Sequence, residues 1–300
     1  MEPGRGWTGR ARGGRAGNLF FVLLVRYGGL SLTPFFLVCV CLYFLVAAPQ
    51  GRRASSDLAD RVGSGGSAWR RLRFVLRHFY IFGTLLVDRL AILSGLADRY
   101  RFGYHGEDLL REQAGRGKGL VLVTGHVGSW EIMGHMLHRL GTPVTLVMHD
   151  VEDPAVRAAL KEVEAGRSFR VLHTDGSPAA AASILDALAG GEIVGMMGDR
   201  LLGAHGVPVR FLGSDAFFPV GPYAIAAASG APLSHVFAVR TGRRRYDFHA
   251  SPPRVLAGRG PRKDDVALWA REFAARFEAV VRENPTQWGN FYPFWSAPDA

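Results

Sequence analysis

Two residues of this chain have the types and spacing for proton transfer: His126 and Glu131, separated by four positions in Gly125-His-Val-Gly-Ser-Trp-Glu131. A histidine titrates near neutrality, so it can take a proton from a hydroxyl if a carboxylate steadies its imidazolium form. The apolar run Leu120–Val123 before them reads as a buried strand. The pattern Trp130, Ile132, Met133, Met136, Leu137, Leu140 after them reads as an amphipathic helix. Gly125 and Gly128 break the chain between the two. The pair is thereby placed at a strand-to-helix turn, the position at which open α/β sheets hold their ligands. The same residues also suit a structural turn, with His126 capping and Glu131 complementing the helix dipole.

A second block, Gly198-Asp199-Arg200, follows the apolar run Ile193–Met197 and again falls at a predicted strand end. Its arginine offers a fork to a phosphate or an acyl carbonyl, or a plain ion pair with Asp199. A third, Gly206-Val-Pro-Val-Arg210-Phe211-Leu-Gly213, is apolar and rich in turn formers, which fits an edge strand or the wall of an acyl groove. His135 and His138 lie near Glu131 with no further ligand cluster, so a metal site is a weak alternative and none is expected. The chain has no Gly-x-Ser-x-Gly elbow, P-loop or dinucleotide fingerprint. Ser129 therefore reads as a turn residue, and any transfer chemistry must activate the acceptor directly.

The elements that would position these residues alternate. Strands are predicted at 119–124, 143–148, 169–173 and 192–197, with helices at 129–140, 154–164 and 178–189 between them. That order predicts an α/β domain with a mixed, largely parallel sheet flanked by helices. A helix at 218–228, a hairpin of 233–240 with 244–250, and a final helix at 264–283 stopped by Pro285 complete it. Upstream, Leu30–Ala48 carries no charge and is long enough to cross a bilayer. An apolar stretch at 18–25 precedes it, so either a single span or a re-entrant hairpin is open. The expected organisation is a basic arm and membrane anchor at 1–62, a glycine-serine joint and interfacial helix at 63–100, and a catalytic domain at 101–300. Cys39 and Cys41 both lie in the apolar segment, which excludes a disulfide framework and a cysteine nucleophile in the remainder.

Apolar residues make up 48% of the 300 and net charge is +10, with a pI of about 10.2. The first excludes a polytopic membrane protein, and the second calls for an acidic partner. Nucleic acid is disfavoured because the basic residues are scattered and a membrane segment competes for the charge.

Taken in order, His126-x4-Glu131, Gly-Asp199-Arg200, Val-Arg210-Phe211-Leu-Gly, Phe218-Pro-Val-Gly-Pro222 and Pro285-Thr-Gln-Trp288 resemble the lysophospholipid acyltransferase superfamily, in its lipid A biosynthesis (lauroyl/myristoyl) branch. The ending Gly289-Asn-Phe-Tyr-Pro-Phe-Trp295 departs from the tryptophan, histidine and Arg-Trp pattern usual there. It is more like members whose acceptors are other glycolipids, aminolipids or polyene lipids. The resemblance implies a membrane-attached acyltransferase at a bacterial inner membrane, with its catalytic domain facing the cytoplasm. It would move a fatty acyl chain from acyl carrier protein or acyl-CoA to a lipid or glycolipid hydroxyl or amine, without a cofactor. It further implies His126 as base, Glu131 as its orienting acid, and Gly128, Ser129, Trp130, Asp199, Arg200, Arg210 and Phe211 as substrate-binding residues. The amides of 128–130, with Arg200, would bind the oxyanion. The readings from other classes are a metal-dependent hydrolase using His126, His135 or His138, and a non-catalytic lipid-binding membrane protein.

Overall fold

The computed structural model describes residues 29–149, 169–174, 176–201, 206–256 and 263–295. The predicted helix at 154–164, the apolar stretch at 18–25 and most of the basic run 259–263 lie outside them. Leu120–Thr124 (β2) is buried at every position, because it sits inside the sheet with both faces covered. Its neighbours are Ile193–Met197 (β5) and Leu233–Gly242 (β8), both parallel to it. Val144–His149 (β3) and Arg170–Thr174 (β4) continue the parallel array beyond β5. On the other side Arg245–Ala250 (β9) turns back antiparallel to β8, and Arg101–His105 (β1) runs beside β9. The order is β1-β9-β8-β2-β5-β3-β4, the predicted mixed and largely parallel sheet.

Side-chain alternation along β2 separates two cores. Val121 and Val123 face one cluster, in which Phe273 and Phe277 of the final helix Lys263–Glu283 are fully buried. Leu120 and Leu122 face the other, with Ile132, Met133 and Met136 of helix Trp130–Leu137. The structure departs from expectation at 214–219. The segment expected to begin a helix at Phe218 is a strand (β7) paired antiparallel with Gly206–Phe211 (β6), and the helix starts only at Gly221. Strand β1 and helix Glu107–Ala114 were also not predicted. Arg-Phe-Gly-Tyr-His has no clean alternation, and its pairing partner β9 is 144 residues away in sequence.

The upstream helices are built around Ala68–Ala91, designated α3; Gly29–Ala47 is α1 and Pro49–Arg61 is α2. With its continuation to Arg99, α3 is long and apolar enough to cross a membrane, yet it lies against the domain. Its Asp88 is buried and accepts hydrogen bonds from Tyr100 Oη (2.8 Å), Tyr246 Oη (2.8 Å) and Arg240 Nε (3.0 Å). A helix whose acid is engaged by Tyr246 and Arg240 of the sheet is a packing helix in its second half. Helix α1 carries the predicted apolar segment, but the chain bends by 97° into α2. Leu37 of α1 sits over Gly83 of α3, where a Cβ would come within 2.5 Å of it. The opposite side of α1 exposes Leu32, Phe35, Val38, Leu42, Tyr43 and Val46 on one helical face.

Candidate active site

Strands β2 and β5 are adjacent and in register, with Thr124 opposite Met197. The residue two past each strand end is therefore also paired, and these are His126 and Asp199. Gly198 N–H donates to Thr124 O at 2.7 Å and locks the two ends together. His126 Nδ1 lies 2.7 Å from Asp199 Oδ1, and the His126 backbone N–H donates to Oδ2 at 2.9 Å. Trp288 Nε1–H also donates to Oδ2, at 3.2 Å. Two fixed N–H donors and a carboxyl held at about 2 make Asp199 an ionised, acceptor-only partner, so Nδ1 carries the ring proton and Nε2 keeps the lone pair.

The acid in contact with the His126 ring is thus Asp199 and not Glu131. Glu131 instead forms an ion pair with Arg89 of α3, and its second oxygen lies 3.5 Å from Ser129 Oγ. Glu131 stands in the first turn of helix Trp130–Leu137, where it meets α3. Two of the three predicted oxyanion amides are likewise in use: Gly128 N–H donates to Gln287 O (3.0 Å) and Ser129 N–H to Ala238 O (3.1 Å). Gly128 holds φ +70°, and a Cβ there would come 1.8 Å from Ala238 O, so the turn requires glycine. Ser129 Oγ accepts from Ile132 N–H as the helix cap. Trp130, half-buried, packs on the second core.

Arg200 is at the site: its guanidinium donates to Gly289 O (2.9 Å) and lies 5.5 Å from the Tyr292 ring centroid. Arg210 is not at the site, and Phe211 reaches it only through Trp288. Arg210 is exposed on β6, and Phe211 is fully buried among Phe218, Phe277, Trp288 and Phe294. The residue that motif reading passed over is Trp288, visible only as part of a Gln-Trp block. Its indole seats Asp199, and its carbonyl lies 2.7 Å from Nε2 of buried His78 on α3. Gly289 N–H in turn donates to His126 O at 2.8 Å. Among the described residues no three His, Cys, Asp or Glu side chains converge as a metal site, and His138 is exposed.

Burial lowers the His126 pKa below its ordinary 6.5, and the nearby Arg200 cation lowers it further; the pull of Asp199 the other way is smaller. Burial alone would raise Asp199, but His126 and Arg200 outweigh it and hold the carboxyl down at about 2. At neutral pH the pair is thus a neutral imidazole hydrogen-bonded to a carboxylate, the resting state of a general base.

The mixed, largely parallel sheet flanked by helices places the chain in the α/β class, with a His–Asp pair two residues beyond adjacent strand ends that has the chemistry to take up a proton. Within that class, residues 78–296 match the model of the bacterial lipid A biosynthesis acyltransferases, and the chain belongs to that family. The phosphatidylinositol mannoside acyltransferase of Mycobacterium tuberculosis is 27% identical over 193 residues, covering 64% of this chain and 59% of the relative. The protein of the same name from Mycolicibacterium smegmatis is 27% identical over 182 residues, 60% of this chain and 58% of the relative. The match therefore spans rather less than two thirds of these relatives' length.

Proposed function

We propose that this protein is a membrane-attached acyltransferase that moves a fatty acyl group from a thioester donor, acyl-CoA or acyl carrier protein, to a glycolipid hydroxyl. The observation that carries the reading is the 2.7 Å His126–Asp199 contact at the sheet's carboxyl edge in a chain of this family. In this reading Nε2 of His126 takes the acceptor's hydroxyl proton as the oxygen attacks the thioester carbonyl carbon. The C–S bond then breaks, and the imidazolium returns the proton to the departing thiolate. Asp199 holds the ring in the productive tautomer and offsets the transient charge. Arg200, a permanent cation whose field reaches His126, would stabilise the developing oxyanion. No acyl-enzyme is required.

A glycolipid acceptor is favoured over lipid A itself by two points: the names of the relatives, and the Gly289–Trp295 ending, which lacks the histidine and Arg-Trp pair usual in the lipid A enzymes. The inner membrane, with the site facing the cytoplasm, follows from the thioester donor, which is made there. The apolar face of α1 is the surface through which attachment would occur.

The test is direct. Purified protein is incubated with acyl-CoA or acyl carrier protein and a panel of mannosylated and other glycolipids, and products are read by mass spectrometry. Wild type should yield a mono-acylated glycolipid and His126→Ala none. Equal product from both would end the reading.

A further inference from the structure

The β8–β9 turn gathers five arginines that the proposed chemistry does not use. Arg99, Arg101, Arg243, Arg244 and Arg245 line an open depression of about 580 Å³. Only Arg245 has an acid, Asp247 at 3.2 Å; among the described residues the other four form no ion pair. The clustering is built in by the backbone. Arg244 adopts φ +57°, a left-handed conformation costly for a side chain with a Cβ. In it the Arg244 carbonyl accepts the Arg101 N–H at 2.8 Å, and β1 pairs with β9 in the register Arg101 to Arg245. Like charges are thus held together with one acid among the described residues to offset five arginines, which favours a multivalent anion from outside.

The position narrows the choice. β8 is parallel to β2, so its turn lies at the same edge as His126. Gly128 bridges Ala238, and Arg243 follows five residues on, about 17 Å at ~3.4 Å per residue. Helix α3 lies along this edge: His78 meets Trp288 beside the site, and Asp88 meets Arg240 beside the turn. On α3 lies α1, whose exposed face of Leu32, Phe35, Val38, Leu42 and Val46 is opposite the side that packs Leu37 on Gly83 of α3. An apolar helix face together with a cationic turn at one edge is the composition of an interfacial membrane surface.

We infer that the Arg99–Arg101–Arg243–Arg244–Arg245 patch binds the phosphate headgroups of anionic phospholipids, seating the carboxyl edge of the sheet on the membrane. This deepens, and rests on, the reading of a membrane-lipid acceptor. It fixes orientation: α1 enters the acyl region, the arginines grip the headgroups, and His126 faces the layer in which a glycolipid headgroup would lie.

The experiment uses the full chain and flotation with phosphatidylcholine vesicles, with and without phosphatidylglycerol, at low and high salt. Arg243→Gln/Arg244→Gln/Arg245→Gln should bind the anionic vesicles roughly a hundredfold more weakly at low salt, a factor of about five per arginine. Binding to phosphatidylcholine alone, through α1, should not change. The single variant Arg243→Glu, at an exposed position, should show the same direction and guards against a folding failure of the triple variant. Turnover on detergent-dispersed acceptor should equal wild type in both, which reports on the catalytic reading independently. Wild-type binding to anionic vesicles by the variants would overturn the inference. So would unchanged vesicle binding with a raised KM for the acyl donor, which would assign the patch to donor phosphates or an acidic carrier protein.

Discussion

Asp199 receives three N–H donors and offers no proton of its own, which makes its replacement by asparagine unusually informative. Whichever way the amide turns, its NH2 faces a donor. If that donor is Nδ1, the ring is forced into the tautomer with Nε2 protonated and cannot act as base. Asp199→Asn should lower kcat by about 10²–10⁴-fold with the fold retained by circular dichroism. Glu131→Gln should act differently. It loosens a largely buried ion pair with Arg89, costing up to about 3–5 kcal/mol in urea unfolding, while kcat falls far less. The opposite ranking of the two variants in kcat would restore Glu131 as the orienting acid. The pH profile adds a third test. His126 is held below 6.5, so the rate should be flat above neutrality and fall only as pH drops through that lowered pKa. Arg200 contributes to the lowering, so Arg200→Ala should move the acid limb to higher pH as well as reduce kcat, whereas Arg200→Lys, which keeps the charge, should move it less.

At the scale of elements, the site depends on helix α3 reaching across the sheet edge. Asp88 joins it to three residues of the β1, β8 and β9 region, two tyrosines and an arginine. Asp88→Asn removes the charge that compensates Arg240 and should destabilise the protein by about 3 kcal/mol, read by thermal or urea unfolding. The turn itself is as demanding. Gly128→Ala would push a methyl into the Ala238 carbonyl and oppose a positive φ, so it should cost about 1–3 kcal/mol or more and displace His126. Wild-type activity in that variant would mean the turn is not held as described. The alternation of strands and helices from 119 to 197 was readable because each strand is a short apolar run bounded by turn formers. The β6–β7 hairpin was not, because Phe217 and Phe218 suit a helix as well as a strand, and pairing across the Leu212–Gly213 turn decides between them.

For the whole molecule, the exposed face of α1 is the feature that the packing of the α/β domain leaves unexplained. Phe35 and Val38 are 69% and 48% exposed, so charging them disturbs little of the protein's own packing. Phe35→Glu/Val38→Glu should move the protein from the membrane to the soluble fraction of lysed cells, with its melting temperature nearly unchanged. Retention of the variant in the membrane fraction would show that attachment lies elsewhere. The 97° bend after Ala47 bears on the same question. Counting apolar residues at 30–48 measures the length of one helix but not the direction of the next. The chain leaves α1 sideways because α2 is held by buried Ser55, 2.8 Å from His78 on α3.

The sequence alone determined that this chain forms an α/β domain with an apolar, basic N-terminal region, and that His126 and the Asp199-Arg200 pair end strands. Those properties rest on local pattern: hydrophobic period, glycine breaks and residue type, all carried within a dozen residues. Which acid meets the histidine was decided by tertiary structure. Glu131 is five residues from His126 and Asp199 is 73, and only the in-register pairing of β2 with β5 brings the distant one to 2.7 Å. Trp288 closes on the same carboxylate from 89 residues further along, and Arg101 meets Arg245 across 144. Strand order and register are long-range choices fixed by how two hydrophobic cores fill on either face of one sheet, and no local spacing encodes them.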